Sequence, residues 1–234
     1  MKKGLVTAII GILLTALPAH SQEESKLQFN GGLRVGVQAN TYHNTSFNIE
    51  GYNYNNTSQN TRIGYTISSF FRLGKNRLFV QTEATLSTEK HNFSFEPEEE
   101  VPGTVLKATP RYRQTNYSLQ VPLLIGYYFV DSSPYKMGVF TGPKARILFT
   151  SLGEQDFDNF EFQKAKEYLE PLTSSWVVGL EVNIANLCFD FMYEVGMNNV
   201  SEYIFIPETG TRYNFNRNIN ALSFSLGVLL YRMT

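Results

Sequence analysis

The stretch Asn116-Tyr117-Ser118-Leu119-Gln120-Val121-Pro122-Leu123-Leu124-Ile125-Gly126-Tyr127-Tyr128-Phe129 decides the fold. Every second residue from Tyr117 to Phe129 (Leu119, Val121, Leu123, Ile125 and Tyr127 between them) is apolar, with aromatics at both ends. The alternate set, Asn116, Ser118, Gln120, Pro122, Leu124, Gly126 and Tyr128, is small, polar or mixed. A period of two is that of a β-strand. An apolar band closed by aromatic rings is how a strand looks when one face meets lipid and the other a polar lumen. A sandwich strand can carry the same alternation, so the rest of the chain decides between them.

The alternation recurs seven more times. A strand over 27–40 sets Leu27, Phe29, Leu33, Val35, Val37 and Ala39 against Gln28, Asn30, Arg34 and Gln38. A second, over 62–73, gathers Ile63, Tyr65, Ile67, Phe71 and Leu73 on its apolar face. A third begins at Arg77 and sets Leu78, Val80, Ala84 and Leu86 against Gln81, Glu83, Thr85 and Ser87. The opening stretch, begun by Arg111, is the fourth. The fifth, over 135–148, places Lys136, Lys144 and Arg146 opposite Met137, Val139 and Ile147. The sixth carries Trp176, Val178, Leu180 and Val182 outward and Glu181 and Asn183 inward. The seventh turns Phe189, Phe191 and Tyr193 out and Cys188, Asp190, Glu194 and Asn198 in. The eighth alternates Leu222, Phe224, Leu226 and Val228 with Ser223, Ser225 and Gly227.

The connections alternate too. Long polar ones over 41–61, 92–110, 149–172 and 199–217 take turns with short ones at 74–76, 131–134 and 185–186. Within the third long one, Phe160 to Leu169 is read as a short helix or a flap. Outer-membrane barrels have an even strand number, short turns at one end and long loops at the other. The soluble eight-stranded rival, of lipocalin type, is apolar inside; here the inner face would carry Arg34, Glu83, Gln120, Lys144, Glu181, Asp190 and Glu194. The expected fold is therefore all-β, an eight-stranded antiparallel up-and-down transmembrane β-barrel.

Composition agrees. Aromatics make up 14% of the 234 residues, and mean hydropathy is slightly negative, as a polar lumen dilutes an apolar outside. A formal charge of -1 gives no electrostatic case for nucleic acid. One cysteine, Cys188, forbids an internal disulfide. Residues 1–21 read as a signal peptide: Lys2 and Lys3, an apolar run from Gly4 to Leu17, Pro18, then Ala19-His20-Ser21 with cleavage before Gln22. The barrel domain is then 22–234, in the outer membrane of a Gram-negative bacterium after Sec-type export.

Several stretches resemble the Bacteroidota outer-membrane β-barrel domain family, which includes PorT-like proteins. Tyr117-Ser-Leu-Gln-Val-Pro-Leu-Leu124 is similar to its Tyr-Leu-x-Ile-Pro-Leu-Leu strand, Phe140-Thr-Gly-Pro143 to its Gly-Pro strand, and Ser225-Leu-Gly-Val-Leu-Leu-Tyr-Arg232 to its closing strand. The resemblance implies an outer-membrane barrel without catalytic residues, inserted by the barrel-insertion machinery. This chain closes on Met233-Thr234, where the family usually ends on an aromatic. Pro122 has no ladder donor, and a local bulge is expected there.

Site candidates follow from parity. The lumen of an eight-stranded barrel is just filled by side chains, and buried charges have to pair. Arg34, Glu83, Lys144, Arg146, Asp190 and Glu194 are the expected lumen ion-pair network, all but Arg146 placed near mid-height, with Glu83 pairing to Arg34 and Lys144, and Glu194 to Lys144. Tyr65, Tyr117, Tyr127, Phe129, Trp176 and Tyr193 are the expected lipid-facing girdle. No metal, cofactor or catalytic set is assigned. Glu98-Glu99-Glu100 reads as a solvated run rather than a calcium site. His43, His91, Ser87 and Glu89 are the raw material of a lipid-modifying enzyme, the lesser alternative. The primary expectation is a non-enzymatic barrel with a filled lumen and long external loops for binding or shielding. Its partners would be outer-membrane lipid and a surface or secretion partner protein. A PorT-like accessory of protein secretion is the runner-up.

Overall fold

A computed structural model describes residues 27–44, 47–49, 52–59, 63–97, 111–156, 166–206, 211–214 and 217–233. The signal-peptide segment and Glu98–Glu100 lie outside the described residues. Thirteen strands follow in order: β1 (Leu27–Asn44), β2 (Phe47–Ile49), β3 (Tyr52–Gln59), β4 (Ile63–Lys75), β5 (Leu78–Pro97), β6 (Arg111–Ser132), β7 (Tyr135–Asp156), β8 (Lys166–Leu169), β9 (Leu172–Ile184), β10 (Leu187–Gly196), β11 (Ser201–Ile206), β12 (Thr211–Asn214) and β13 (Arg217–Met233).

Eight of them, β1, β4, β5, β6, β7, β9, β10 and β13, pair antiparallel in chain order, and β1 closes on β13. Closure leaves no unpaired edge in the wall, the condition for a β-structure in lipid. The outer face is continuous apolar surface, including Ile67, Leu123, Leu180, Phe191 and Phe224. That belt far exceeds the few hundred Å² of contiguous apolar surface that soluble monomers show. From Tyr117 to Phe129 it runs about 40 Å along the strand, or about 30 Å along the normal at barrel tilt.

Backbone hydrogen bonds link neighbouring turns into a rim at the turn end. Ala185 N donates to the Pro134 carbonyl and Leu229 N to the Asn186 carbonyl, both at 2.8 Å. The β4–β5 turn places Asn76 at φ 56°, a left-handed position that asparagine tolerates.

Three expectations need correction. The wall runs on beyond the membrane band: β1 reaches Asn44 and β7 reaches Asp156. The long connections are accordingly not plain loops. β2 and β3 add to the upper part of β5, with Tyr54 opposite Pro97. β8, β11 and β12 form a separate sheet. Lys166–Leu169 is strand, not helix, and 157–165 lie outside the described residues. Finally, Pro122 sits in no bulge. The β5–β6 register is the same on both sides of it, Thr82 opposite Leu123 and Thr85 opposite Gln120. The ladder simply skips two rungs, at Pro122, which lacks an N–H, and at Val121, and Thr82 Oγ1 donates to the freed Pro122 carbonyl at 3.0 Å. The register shifts of β6 against β7 fall instead at Tyr117/Ser118 and Tyr128/Val130.

Candidate functional site

The lumen is where this chain concentrates polar chemistry. Toward the turn end it holds an apolar cluster, Phe79, Leu124, Tyr128, Phe140 and Val177, and a smaller one of Phe70, Cys188 and Leu229. Glycines on neighbouring strands make room for the rings. A Cβ on Gly126 would lie 2.1 Å from the Phe79 ring, and one on Gly179 2.3 Å from the Phe140 ring.

Against these rings lies a turn-side charge layer. Arg72 from β4 makes a two-pronged contact with Glu181 of β9, and also donates to Gln81 of β5 and to the Tyr128 hydroxyl of β6. Arg34 from β1 pairs with Glu83 of β5 and lies 3.6 Å from Glu181. Its Nε is 2.8 Å from Asp190 Oδ2 of β10, close enough for an ion pair but out of line for a hydrogen bond. Gln81 and Asn183 donate to Glu83 and Glu181 at 2.6 and 2.7 Å. The Arg34 guanidinium stacks 4.0 Å over Phe70, and that of Arg72 4.5 Å over Phe79. Six of the eight wall strands are tied together here. Room for Arg34 comes from Gly227, where a Cβ would stand 2.5 Å from Arg34 Cγ.

A second layer lies nearer the mouth. Lys144 of β7 pairs with Glu194 of β10 and donates to Gln120 Oε1 at 2.9 Å. Arg146, two residues on, bridges Glu194 at 3.3 Å and Glu89 of β5 at 3.4 Å. Gln120 donates to Ser87 and Glu89, and the Ser87 and Ser118 hydroxyls are 2.8 Å apart. A cavity of about 30 Å³ separates the layers.

The expected network is thus brought inside: Arg34, Glu83, Lys144, Arg146, Asp190 and Glu194 are all buried. It is split into two layers rather than gathered at one height, and Lys144 pairs with Glu194, not Glu83. Arg72 and Glu181 complete the first layer, and Glu89 the second; the inward parity of their strands was the signal for all three. The girdle residues Tyr65, Tyr117, Tyr127, Phe129, Trp176 and Tyr193 are all exposed on the outer face. Tyr127 and Phe129 lie toward the turns and the other four toward the mouth. Trp176 Nε1 donates to Thr141 Oγ1 at 2.8 Å, which satisfies the indole inside the apolar belt. Ser87 and Glu89 engage Ser118, Gln120 and Arg146. His43 and His91 lie on strands β1 and β5 rather than in loops. Among the described residues no group of histidines, cysteines and carboxylates is placed to hold a metal ion.

Residues 20–202 match the family described as outer membrane protein beta-barrel domain. The chain belongs to that family. Among solved structures, OprG from Pseudomonas aeruginosa superimposes with a TM-score of 0.56 at 11% identity, covering 91% of this chain and 100% of its own. That likeness is one of fold. Ail of Yersinia pestis, solved with the heparin analogue sucrose octasulfate, gives 0.40 at 12% identity over 88% of this chain and 99% of its own. The outer membrane protease OmpT from Escherichia coli gives 0.40 at 8%, over 91% and 99%. No curated protein sequence matches the chain. As a member of the outer membrane beta-barrel family, the chain presents its belt to lipid and its two charge layers to the barrel axis.

Proposed function

We propose that this chain is a non-enzymatic barrel of the Gram-negative outer membrane. Its lumen is closed by side chains, and its β-structure beyond the membrane binds a partner or shields the envelope. The observation that carries the reading is the pair of cross-lumen layers, Arg72–Glu181 with Arg34–Glu83 below, and Arg146–Glu89 with Lys144–Glu194 above. An eight-stranded barrel is only wide enough for its side chains, and these tie opposite walls together. The external part is built rather than loose: β3 pairs with β5 and β2 with β3, and β12 comes within 8 Å of β2. A planar bilayer holding purified protein tests the closed lumen. Almost no steady conductance is expected; a large, stable conductance overturns the reading.

Export fits the same reading. Residues 1–21 carry the features of a Sec signal, so mature protein from outer membranes should begin at Gln22 by mass spectrometry; an intact Met1 end would exclude cleavage. A PorT-like accessory role in secretion is the second reading, favoured by the Tyr117–Leu124 motif. Co-purification with a secretion complex is its test.

A further inference from the structure

We infer that Lys144 is a two-position group, which closes the mouth-side layer on Glu194 and exchanges to Glu83 of the turn-side layer. The inference rests on the closed-lumen reading. Lys144 is opposite Pro122 in the β6–β7 register. The β5–β6 register, carried through the two skipped rungs, sets Pro122 opposite Glu83. The three residues therefore stand side by side on β7, β6 and β5. Neighbouring strands are about 4.8 Å apart, so about 10 Å separates the outer two backbones. A lysine on its flexible four-carbon stem and a glutamate extended toward it span that gap. Between them Pro122 presents only a short ring. The space it leaves is part of the cavity, which Lys144 and Glu83 both line together with the hydroxyl side chains Ser68, Thr85 and Ser225. The two side chains thus border one space, and the hydroxyls suit the water a moving charge needs.

Charge balance makes the two positions comparable. The turn-side layer sets two guanidiniums, Arg34 and Arg72, against three carboxylates, Glu83, Glu181 and Asp190. The mouth-side layer sets Lys144 and Arg146 against Glu89 and Glu194. Moving Lys144 to Glu83 balances the first and leaves the second one carboxylate in excess. Either way one negative charge is uncompensated, and only its layer changes. Two discrete arrangements of the same net charge, with the Glu194 position the favoured one, are what a switch requires. In the exchanged state Glu194 keeps Arg146 alone, and the mouth-side closure between β7 and β10 is halved.

The test is a double-mutant cycle on unfolding in lipid, Lys144→Met with Glu83→Gln, run in the wild type and in a Glu194→Gln background. With Glu194 intact, the cycle should show little coupling. Without it Lys144 moves to Glu83, and coupling should rise to about tenfold in the unfolding equilibrium. Pro122→Leu, which fills the space between the two, should abolish that gain. Additivity in both backgrounds, or coupling that survives Pro122→Leu, overturns the proposal. If Glu194→Gln fails to insert, Glu194→Asp serves, with a smaller gain expected and additivity again decisive against it. The wild-type conductance measurement judges the closed lumen separately, because the cycle reads pairing and not permeation.

Discussion

Arg72 shows what a single residue does in this lumen. Its guanidinium is buried, and it is held by Glu181, Gln81 and Tyr128 while lying over the Phe79 ring. A buried pair contributes little net stability, because desolvation offsets most of the attraction, but one partner left alone is costly. Arg72→Met is therefore expected to destabilise the barrel by about 3–5 kcal/mol, measured by urea unfolding in lipid. Arg72→Met with Glu181→Gln should cost less than the two single losses added. Strict additivity would show that the two do not act as a pair. That Arg72 faces inward was legible, since Gly64, Thr66, Ser68 and Phe70 share its parity. Its partner was not legible. Glu181 is 109 residues away on the opposite wall, and such contacts depend on strand tilt and shear, which alternation does not encode.

At the scale of the element, β6 and β3 mark where a sequence signal begins and ends. β6 was readable because lipid on one side and a packed lumen on the other impose opposite chemistry on alternate residues. β3, Tyr-Asn-Tyr-Asn-Asn-Thr-Ser-Gln over 52–59, is just as much a strand and pairs with β5. It lies past the apolar belt, where neither face meets lipid, so no face had to be apolar and the period vanished. Pro122 misled for another reason. A proline costs a strand one donor, which a bulge can absorb, but here a threonine hydroxyl on the neighbouring strand takes up the carbonyl instead. The belt itself is open to test. Leu180 and Phe191 face lipid as direct cross-strand partners on β9 and β10. Arginine at either should weaken insertion by about 2–4 kcal/mol if the site lies near the midplane. Refolding into vesicles of Leu180→Arg and Phe191→Arg that matched the wild type would place that face away from lipid.

The whole molecule has two unlike ends, and that asymmetry sets its orientation. All three short turns, the start of β1 and the end of β13 share one rim, since Leu27 is opposite Lys75 and Phe29 opposite Met233. The other end carries the extended wall and the outer sheets. In outer-membrane barrels short turns face the periplasm, so Asn76 should lie inside the cell envelope and Arg212, exposed on β12, outside. The protein offers a clean background for the measurement: its one cysteine, Cys188, is fully buried beside Phe70 and Leu229. A membrane-impermeant maleimide added to intact cells should label Arg212→Cys and leave both wild type and Asn76→Cys unlabelled. After the outer membrane is permeabilised, Asn76→Cys should react as well, because that turn is exposed and Cys188 stays covered. Labelling of Asn76→Cys but not Arg212→Cys on intact cells would invert the topology. The filled lumen would then present its turn-side layer to the outside, and the β-structure assigned to the cell surface would have to work in the periplasm.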